Sequence, residues 1–188
     1  VLQSLRGQEN VTKDGRHMDV FANVGSVADV GLALQSDAGG VRLFRSEFLY
    51  LGRDSFPTEE ELYQAYRSVV EQLAGRPLVI RTLDIGADKQ ADYFQLPQEE
   101  NPAMGMRAIR ICLTRPEVFR TQLRALYRAS AHGRLAVMFP MITSLDEVHR
   151  AKALCAQVRE ELRDEGVPFD EHMELGIMIE TPAAAVIS

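Results

Sequence analysis

Residues 77–89 have the sequence Pro-Leu-Val-Ile-Arg-Thr-Leu-Asp-Ile-Gly-Ala-Asp-Lys. A short apolar run bounded by Pro77 and Gly86 is typical of a strand buried on both faces, as in parallel sheets. The run ends at Arg81, and the carboxyl end of a parallel strand is where α/β proteins place their binding residues. A guanidinium at that position predicts an anion site, because its planar fork matches phosphate or carboxylate oxygens.

The rest of the chain repeats this pattern of an apolar strand followed by a helix. Strands are predicted at residues 21–24, 41–51 with the strand exit included, 77–86, 135–142 and 175–179. Five strands alternating with helices indicate an α/β fold with a parallel sheet and right-handed crossovers. On pattern alone the sheet is either open and doubly wound or part of a (β/α)8 barrel. A dinucleotide site is disfavoured, because no Gly-x-Gly-x-x-Gly follows the first strand.

The chain divides into two regions. Residues 1–20 are predicted to be an N-terminal linker and a small hairpin, with Asp14-Gly15 in its turn. Residues 21–188 form a single domain, and within it a helix is expected to start at Asn101, with Arg107 about one turn inside. The clearest helix start is the capping box at residues 58–61, Thr-Glu-Glu-Glu.

Composition excludes several functions. The net charge of −6 argues against a nucleic-acid partner, which requires a basic surface. No apolar run approaches the roughly 18 residues that a membrane span needs, and no signal peptide is recognisable. Cys112 and Cys155 fit no metal-ligand spacing and lie in helical patterns, so they are predicted to be free thiols in a reducing compartment. We therefore expect a cytoplasmic protein.

Charged residues recur where predicted strands end. Arg45 ends the second strand, Arg81 the third and Glu180 the fifth, and Arg107 follows a long loop that could carry it to the same edge. Guanidinium groups gathered there would hold a phosphoryl group and offset its charge in a transition state. Glu180 is a candidate ligand for Mg²⁺, which accepts one or two carboxylates together with substrate oxygens and water.

Other residues at this edge have less certain roles. Lys89 is a second-rank candidate for contact with the anion, whereas Glu47, Asp84 and Asp88 either orient a neighbouring arginine or close a turn. The alternative for every one of these charges is an ordinary salt bridge on a surface loop. That alternative is strong for any single arginine, because only three of the 21 basic residues are lysines.

Four segments together resemble one protein family. They are Leu43-Phe-Arg-Ser-Glu-Phe48, Val79-Ile-Arg-Thr-Leu-Asp-Ile-Gly-Ala-Asp-Lys89, Asn101-Pro-Ala-Met-Gly-Met-Arg-Ala-Ile-Arg110 and Met178-Ile-Glu-Thr-Pro-Ala-Ala184. In this order they are similar to the C-terminal domain of bacterial Enzyme I, the phosphoenolpyruvate–protein phosphotransferase of the sugar phosphotransferase system. The resemblance covers about residues 11–188.

The resemblance implies a phosphoenolpyruvate-binding TIM barrel, of which this chain holds about five of the eight β/α units. It implies that Arg45, Arg81 and Arg107 contact the phosphate and carboxylate of phosphoenolpyruvate and that Glu180 binds Mg²⁺. In this family the phosphoryl group passes to a histidine of an N-terminal domain and then to a histidine-containing phosphocarrier protein, for sugar uptake.

The family's catalytic groups are expected outside these 188 residues. The phosphohistidine, a second metal carboxylate and a cysteine that protonates the enolpyruvate have no counterpart here, so we expect the isolated chain to bind anions weakly without turnover. We also expect a homodimer, as in the family. Two alternatives stay open: the equivalent barrel of a pyruvate phosphate dikinase or phosphoenolpyruvate synthase, and a non-catalytic self-association module.

Overall fold

The computed structural model describes residues 6–86, 88 and 91–188. The strands are β1 (Ala22–Val24), β2 (Val41–Arg45), β3 (Leu78–Arg81), β4 (Leu135–Phe139) and β5 (Glu174–Ile177). The α-helices are α1 (Val27–Gln35), α2 (Glu59–Gln72), α3 (Ile109–Thr114), α4 (Pro116–Ser130), α5 (Leu145–Asp164) and α6 (Pro182–Ile187). Single turns of 3₁₀ helix cover Ser46–Leu49 and Asp92–Phe94.

The five strands form one sheet in the order β1-β2-β3-β4-β5, and every neighbouring pair is parallel. This confirms the predicted α/β class and the parallel sheet. The strand order follows the chain order and has no reversal, whereas a doubly wound sheet reverses direction at a switch point. In the described part of the chain the sheet is open, with β1 and β5 at its edges.

The core lies between the sheet and a layer of helices. Helix α4 packs between α2 and α5, and Phe44, Ile80 and Val137 are fully buried beneath them. On the opposite face Val79 and Met138 stay partly exposed, because no described helix covers that side. The predicted strand between Pro77 and Gly86 is shorter than expected, since β3 ends at Arg81, and the expectation that it is buried on both faces is wrong for one face. We call the side that carries Val79, Ala136 and Met138 the uncovered face.

Local sequence signals set most of the helix boundaries. Complete capping boxes start three helices, formed by the pairs Ser26 and Asp29, Thr58 and Glu61, and Ser144 and Glu147. In each box the hydroxyl accepts a hydrogen bond from the third helical N–H while the carboxylate accepts one from the cap residue. The predicted N-terminal hairpin is present as one antiparallel bridge between Val11 and His17, closed by Gly15 at φ 85°. Residues 1–5 lie outside the described residues.

The helix predicted from Asn101 was placed too early. Helix α3 begins at Ile109, and the Asn101 side chain caps no helix, since it accepts a hydrogen bond from the N–H of Ala103 two residues on. Ala108 has a φ of 50°, which is not helical, so no helix can run through it. Its N–H donates a hydrogen bond to the carbonyl of Ile85 beyond β3. That bond ties the segment to the strand exit, so Arg107 lies in the loop before α3 rather than inside a helix.

Candidate anion-binding site

Three arginines come together at the carboxyl edge of the sheet; we call Arg45, Arg81 and Arg107 the arginine cluster. Arg45 and Arg81 are the last residues of β2 and β3, and the strand register sets them directly opposite each other. Arg107 joins them through Asp84, three residues beyond the end of β3. The loop that carries Arg107 therefore reaches the same edge, as the sequence predicted.

Arg81 is held by two carboxylates. It is only 8% exposed, and its Nη2 donates to Oε1 of Glu47, which is 2% exposed. Its Nη1 lies 3.0 Å from Oδ2 of Asp84, while the other oxygen of Asp84 accepts a 3.0 Å hydrogen bond from Nη2 of Arg107. Asp84 thus bridges two arginines, and Asp88 lies 3.7 Å from Arg107. Of the two roles that the sequence left open for the acidic residues, these contacts favour orientation of the arginines over closure of a turn.

The cluster keeps hydrogen-bonding capacity that no described residue uses. The Nε atoms of Arg45, Arg81 and Arg107 are buried and lack an acceptor among the residues the structure describes. Buried donors are almost always paired, because an unpaired one loses its hydration without replacement. Donors left over at one edge of a parallel sheet are consistent with a site that is completed by an anionic ligand or by water.

Arg45 is positioned by an aromatic ring. Its guanidinium carbon lies 4.8 Å from the ring centroid of Phe48, close enough for a cation–π interaction. Gly25, just after β1, makes room for both groups: a Cβ there would lie 2.9 Å from the Phe48 ring and 3.3 Å from Nη2 of Arg45. Neither Gly25 nor Phe48 is among the site residues predicted from the sequence. The available signal was a glycine that directly follows an apolar strand.

Glu180 lies at the same edge, three residues beyond β5. Its carboxylate is exposed, and Oε1 accepts a 2.7 Å hydrogen bond from the N–H of Met141 after β4. The next residue, Thr181, is buried; its hydroxyl donates to the carbonyl of Ile142 and accepts from the N–H of Ala184 at the start of α6. Thr181 therefore fixes the backbone that carries Glu180.

No hydrogen bond or ion pair joins Glu180 to the arginine cluster within the described ranges. These ranges also contain no group of three or more His, Cys, Asp or Glu side chains able to hold a metal. An exposed carboxylate is nevertheless the type of ligand Mg²⁺ uses when substrate oxygens and water supply the rest of its shell. Glu180 fits that role as a single protein ligand. Lys89 lies outside the described residues, so its predicted contact stays a prediction.

The cysteines take no part in this site. Cys112 in α3 and Cys155 in α5 are free thiols, as the sequence predicted, and both are buried. Burial raises the pKa of the Cys155 thiol to about 11 and moves the pKa of Cys112 still higher, with the charge of Asp84 adding to the shift. Both groups are therefore protonated at neutral pH, and neither is a nucleophile or a metal ligand in this state.

The fold and the arginine cluster define the class of protein: a parallel α/β domain with arginines gathered at the carboxyl edge of its sheet. The family described as "PEP-utilising enzyme, PEP-binding domain" matches residues 1–188, and the chain belongs to this family.

Named relatives extend the match. The chain is 49% identical over 187 residues to a phosphoenolpyruvate-protein phosphotransferase of Staphylococcus carnosus (strain TM300), covering all of this chain and 33% of that protein. It is 51% identical over 181 residues to a protein of the same name from Bacillus sp. (strain S), covering 96% of this chain and 31% of that protein. The chain thus spans about a third of the length of these curated relatives. Within the described residues, no helix is both long and apolar enough to cross a membrane.

Proposed function

We propose that this chain is the phosphoenolpyruvate-binding portion of a phosphoenolpyruvate–protein phosphotransferase. The observation that carries the proposal is the arginine cluster, in which two arginines end neighbouring strands and the third is tied to them through Asp84. Phosphoenolpyruvate bears a phosphate and a carboxylate, and planar guanidinium groups bind both. The family match and the names of the relatives support the same substrate.

In this proposal the cluster binds and orients the substrate. Arg45, Arg81 and Arg107 hold the phosphate and carboxylate oxygens, with Arg81 kept in place by Glu47 and Asp84. Guanidinium groups fixed before the reaction stabilise charge as it develops, without having to reorganise. Lys89 is a further proposed contact. Mg²⁺, when bound through Glu180, supplies additional positive charge next to the phosphoryl oxygens.

The transfer itself involves groups beyond those described. The phosphorus–oxygen bond of phosphoenolpyruvate breaks, a phosphorus–nitrogen bond to a histidine of another domain forms, and the enolate takes up a proton to become pyruvate. The phosphoryl group then passes to a histidine-containing phosphocarrier protein in sugar uptake. None of the residues described here serves as that histidine or as the proton donor in this proposal, so this portion alone is inactive.

We also propose a wider setting for the site. We propose that the five-stranded sheet is part of a (β/α)8 barrel, since its strands are parallel and follow the chain order. A cytoplasmic location is in keeping with two free thiols. A homodimer is the proposed assembly. The names of the relatives favour a phosphotransferase over a dikinase or synthase.

Labelled phosphoenolpyruvate tests the proposed reaction. The complete gene product that contains these residues is expected to form an acid-labile phosphohistidine from ³²P-phosphoenolpyruvate only when Mg²⁺ is present. Glu180→Gln should lower the rate by at least about tenfold, because it removes the charge that holds the metal. Glu174→Gln is the matched control: Glu174 is equally exposed but lies at the start of β5, away from the site. Equal loss in both variants, or labelling without Mg²⁺, would contradict the metal role.

A further inference from the structure

A buried glutamine on α4 reaches the exits of two strands. Gln122 is 0% exposed, and its Oε1 accepts a 3.0 Å hydrogen bond from the N–H of Leu83, two residues beyond Arg81. Its Nε2 donates at 3.0 Å to the hydroxyl of Ser46, which directly follows Arg45, and at 3.0 Å to the hydroxyl of Tyr66 on α2. Both N–H donors and the carbonyl oxygen are therefore used.

Ser46 completes a closed connection between these exits. It is fully buried, and its hydroxyl donates a 2.6 Å hydrogen bond to the backbone carbonyl of Arg81. The single side chain of Gln122 thus contacts the backbone after β3 directly and the end of β2 through Ser46. The two segments linked by Gln122 directly follow Arg45 and Arg81, which belong to the arginine cluster.

The hydrogen-bond pairing of β2 with β3 is interrupted, so a side-chain connection between the two strands adds to it. The pairing of β2 with β3 is irregular, since the register shifts between Val41 and Phe44 just before the two arginines. Such an irregularity disrupts the ladder locally and bends the strand ahead of the regular pair of Arg45 and Arg81. Gln122 lies on the apolar side of α4, where Phe119 and Leu126 are fully buried. Burial of an amide there costs folding free energy unless hydrogen bonds replace its contacts with water.

We propose that Gln122 is a positioning residue that sets the spacing of Arg45 and Arg81 for the bound anion. The inference rests on the proposed function, because it assigns a role in the same site. Gln122 itself touches neither the substrate nor the metal in this account. Its effect passes through Leu83 and Ser46 to the backbone of the arginines, where a displacement of about 1 Å is enough to weaken a clamp.

Ligand affinity is the first test, using an inert phosphonate analogue of phosphoenolpyruvate and the complete gene product. Gln122→Met keeps the volume of the side chain and removes all three hydrogen bonds, and we expect its Kd to rise about tenfold or more. The control is Ser130→Ala, at the far end of α4, where the hydroxyl is also buried and bonds to Tyr127 and Asp170. A Kd change in Gln122→Met no larger than in Ser130→Ala would overturn the proposal.

Ser46→Ala is the second variant, and it tests the positioning role of Gln122 if Gln122→Met fails to fold. It deletes one oxygen and breaks the connection at Arg81, so its Kd is expected to rise more than that of Ser130→Ala. A Kd equal to that of the control would overturn the proposal.

Hydrogen exchange separates this proposal from the proposed function, since it needs no ligand. In Gln122→Met the amide of Leu83 should exchange at least about tenfold faster, while the amide of Val137 in β4 keeps its protection. If the unaltered protein does not bind the analogue, the proposed function fails, and exchange still decides whether Gln122 holds the exits of β2 and β3. Unchanged exchange at Leu83 would overturn that role, whatever the affinities show.

Discussion

At the scale of single residues, the arginine cluster depends on neighbours that do not touch the ligand in our account. Arg81 is nearly buried between Glu47 and Asp84, so its guanidinium is oriented before any anion arrives. Removing one partner of such a buried pair is strongly destabilising, because it leaves a charge without compensation. The carboxylates are thus as much a part of the site as the arginines.

The sequence predicted the positions of the arginines better than the residues that hold them in place. Arg45 and Arg81 could be located because each ends an apolar run, and that position is visible in the residue order. The constraint on Gly25 could not be found in this way, since it arises from the approach of Phe48, which lies on the next strand exit. Gln122 was hidden for the same reason: its partners lie 39 and 76 residues away in the chain.

Gly25→Ala tests the space beside Arg45. The added methyl group would meet the Phe48 ring at 2.9 Å and Nη2 of Arg45 at 3.3 Å, so we expect a weaker affinity for the phosphonate analogue, by about threefold to tenfold. Calorimetric titration gives the Kd. Gly31→Ala in α1 is the matched control, since its Cβ would meet nothing within 4 Å. An unchanged Kd in Gly25→Ala would show that the ring does not set the position of Arg45.

At the scale of elements, the capped helices could be predicted and α3 could not. Thr58 precedes a helix as expected, and Ser26 and Ser144 start helices in the same way, because a capping box is a local pattern of hydrogen bonds. The start of α3 depends instead on a bond from Ala108 to Ile85, which only the folded chain brings together. Sequence patterns therefore predict helix starts that depend on residues close together in the chain, but not a start that depends on a distant contact.

Arg124 joins three helices through their charged faces. From α4 it contacts Glu59 at the start of α2 and Glu161 and Glu165 at the end of α5. Its side chain is only 11% exposed, so these hydrogen bonds are screened less than ordinary surface pairs. The helix layer behind the sheet is consequently held by ionic contacts as well as by its apolar core.

Arg124→Met is expected to lower the free energy of unfolding by about 1–2 kcal/mol at pH 7, because it keeps the apolar stem and removes the charged hydrogen bonds. Chemical denaturation measures the change. Arg67→Met, which breaks a surface ion pair with Glu71 on an exposed helix face, should leave stability close to that of the unaltered protein. Similar losses in both variants would show that the network has no special role.

The Arg124 effect should also depend on pH. In the folded chain the pKa of Glu165 is lowered below the usual 4.5 by its hydrogen bond from Arg124. The pKa of Glu161 is lowered by hydrogen bonds from Arg120 first and from Arg124 as well. A lowered folded-state pKa stabilises the protein above the unfolded value, and this contribution is lost as the pH falls through the folded value. The stability difference between unaltered protein and Arg124→Met should therefore be full at neutral pH and shrink below pH 4.5. A difference that persists in acid would contradict this assignment.

At the scale of the whole molecule, the uncovered face and the open strand edges are the unusual features. Val79 and Met138 are partly exposed on a face that no described helix covers, and β5 presents an unpaired edge within the described sheet. Exposed strand edges and apolar patches favour association. The sequence indicated five β/α units, and the structure places their strands in one sheet whose edges, β1 and β5, are open within the described residues.

We expect the 188-residue chain, prepared alone, either to self-associate through the uncovered face or to melt without a sharp transition. Light scattering and thermal denaturation measure the two properties. Ala136→Glu places a charge in the middle of this face and should shift a dimer toward the monomer. A monomeric chain with a sharp cooperative melt would show that the face needs no covering.

The central claim, that the arginine cluster binds phosphoenolpyruvate, is tested most directly by calorimetric titration of the complete gene product with the inert phosphonate analogue and Mg²⁺. The unaltered protein should bind, Arg81→Ala should lose at least about 100-fold in affinity, and Arg120→Ala, which breaks only a surface pair with Glu161, should bind normally. Equal binding by Arg81→Ala and the unaltered protein would contradict the account.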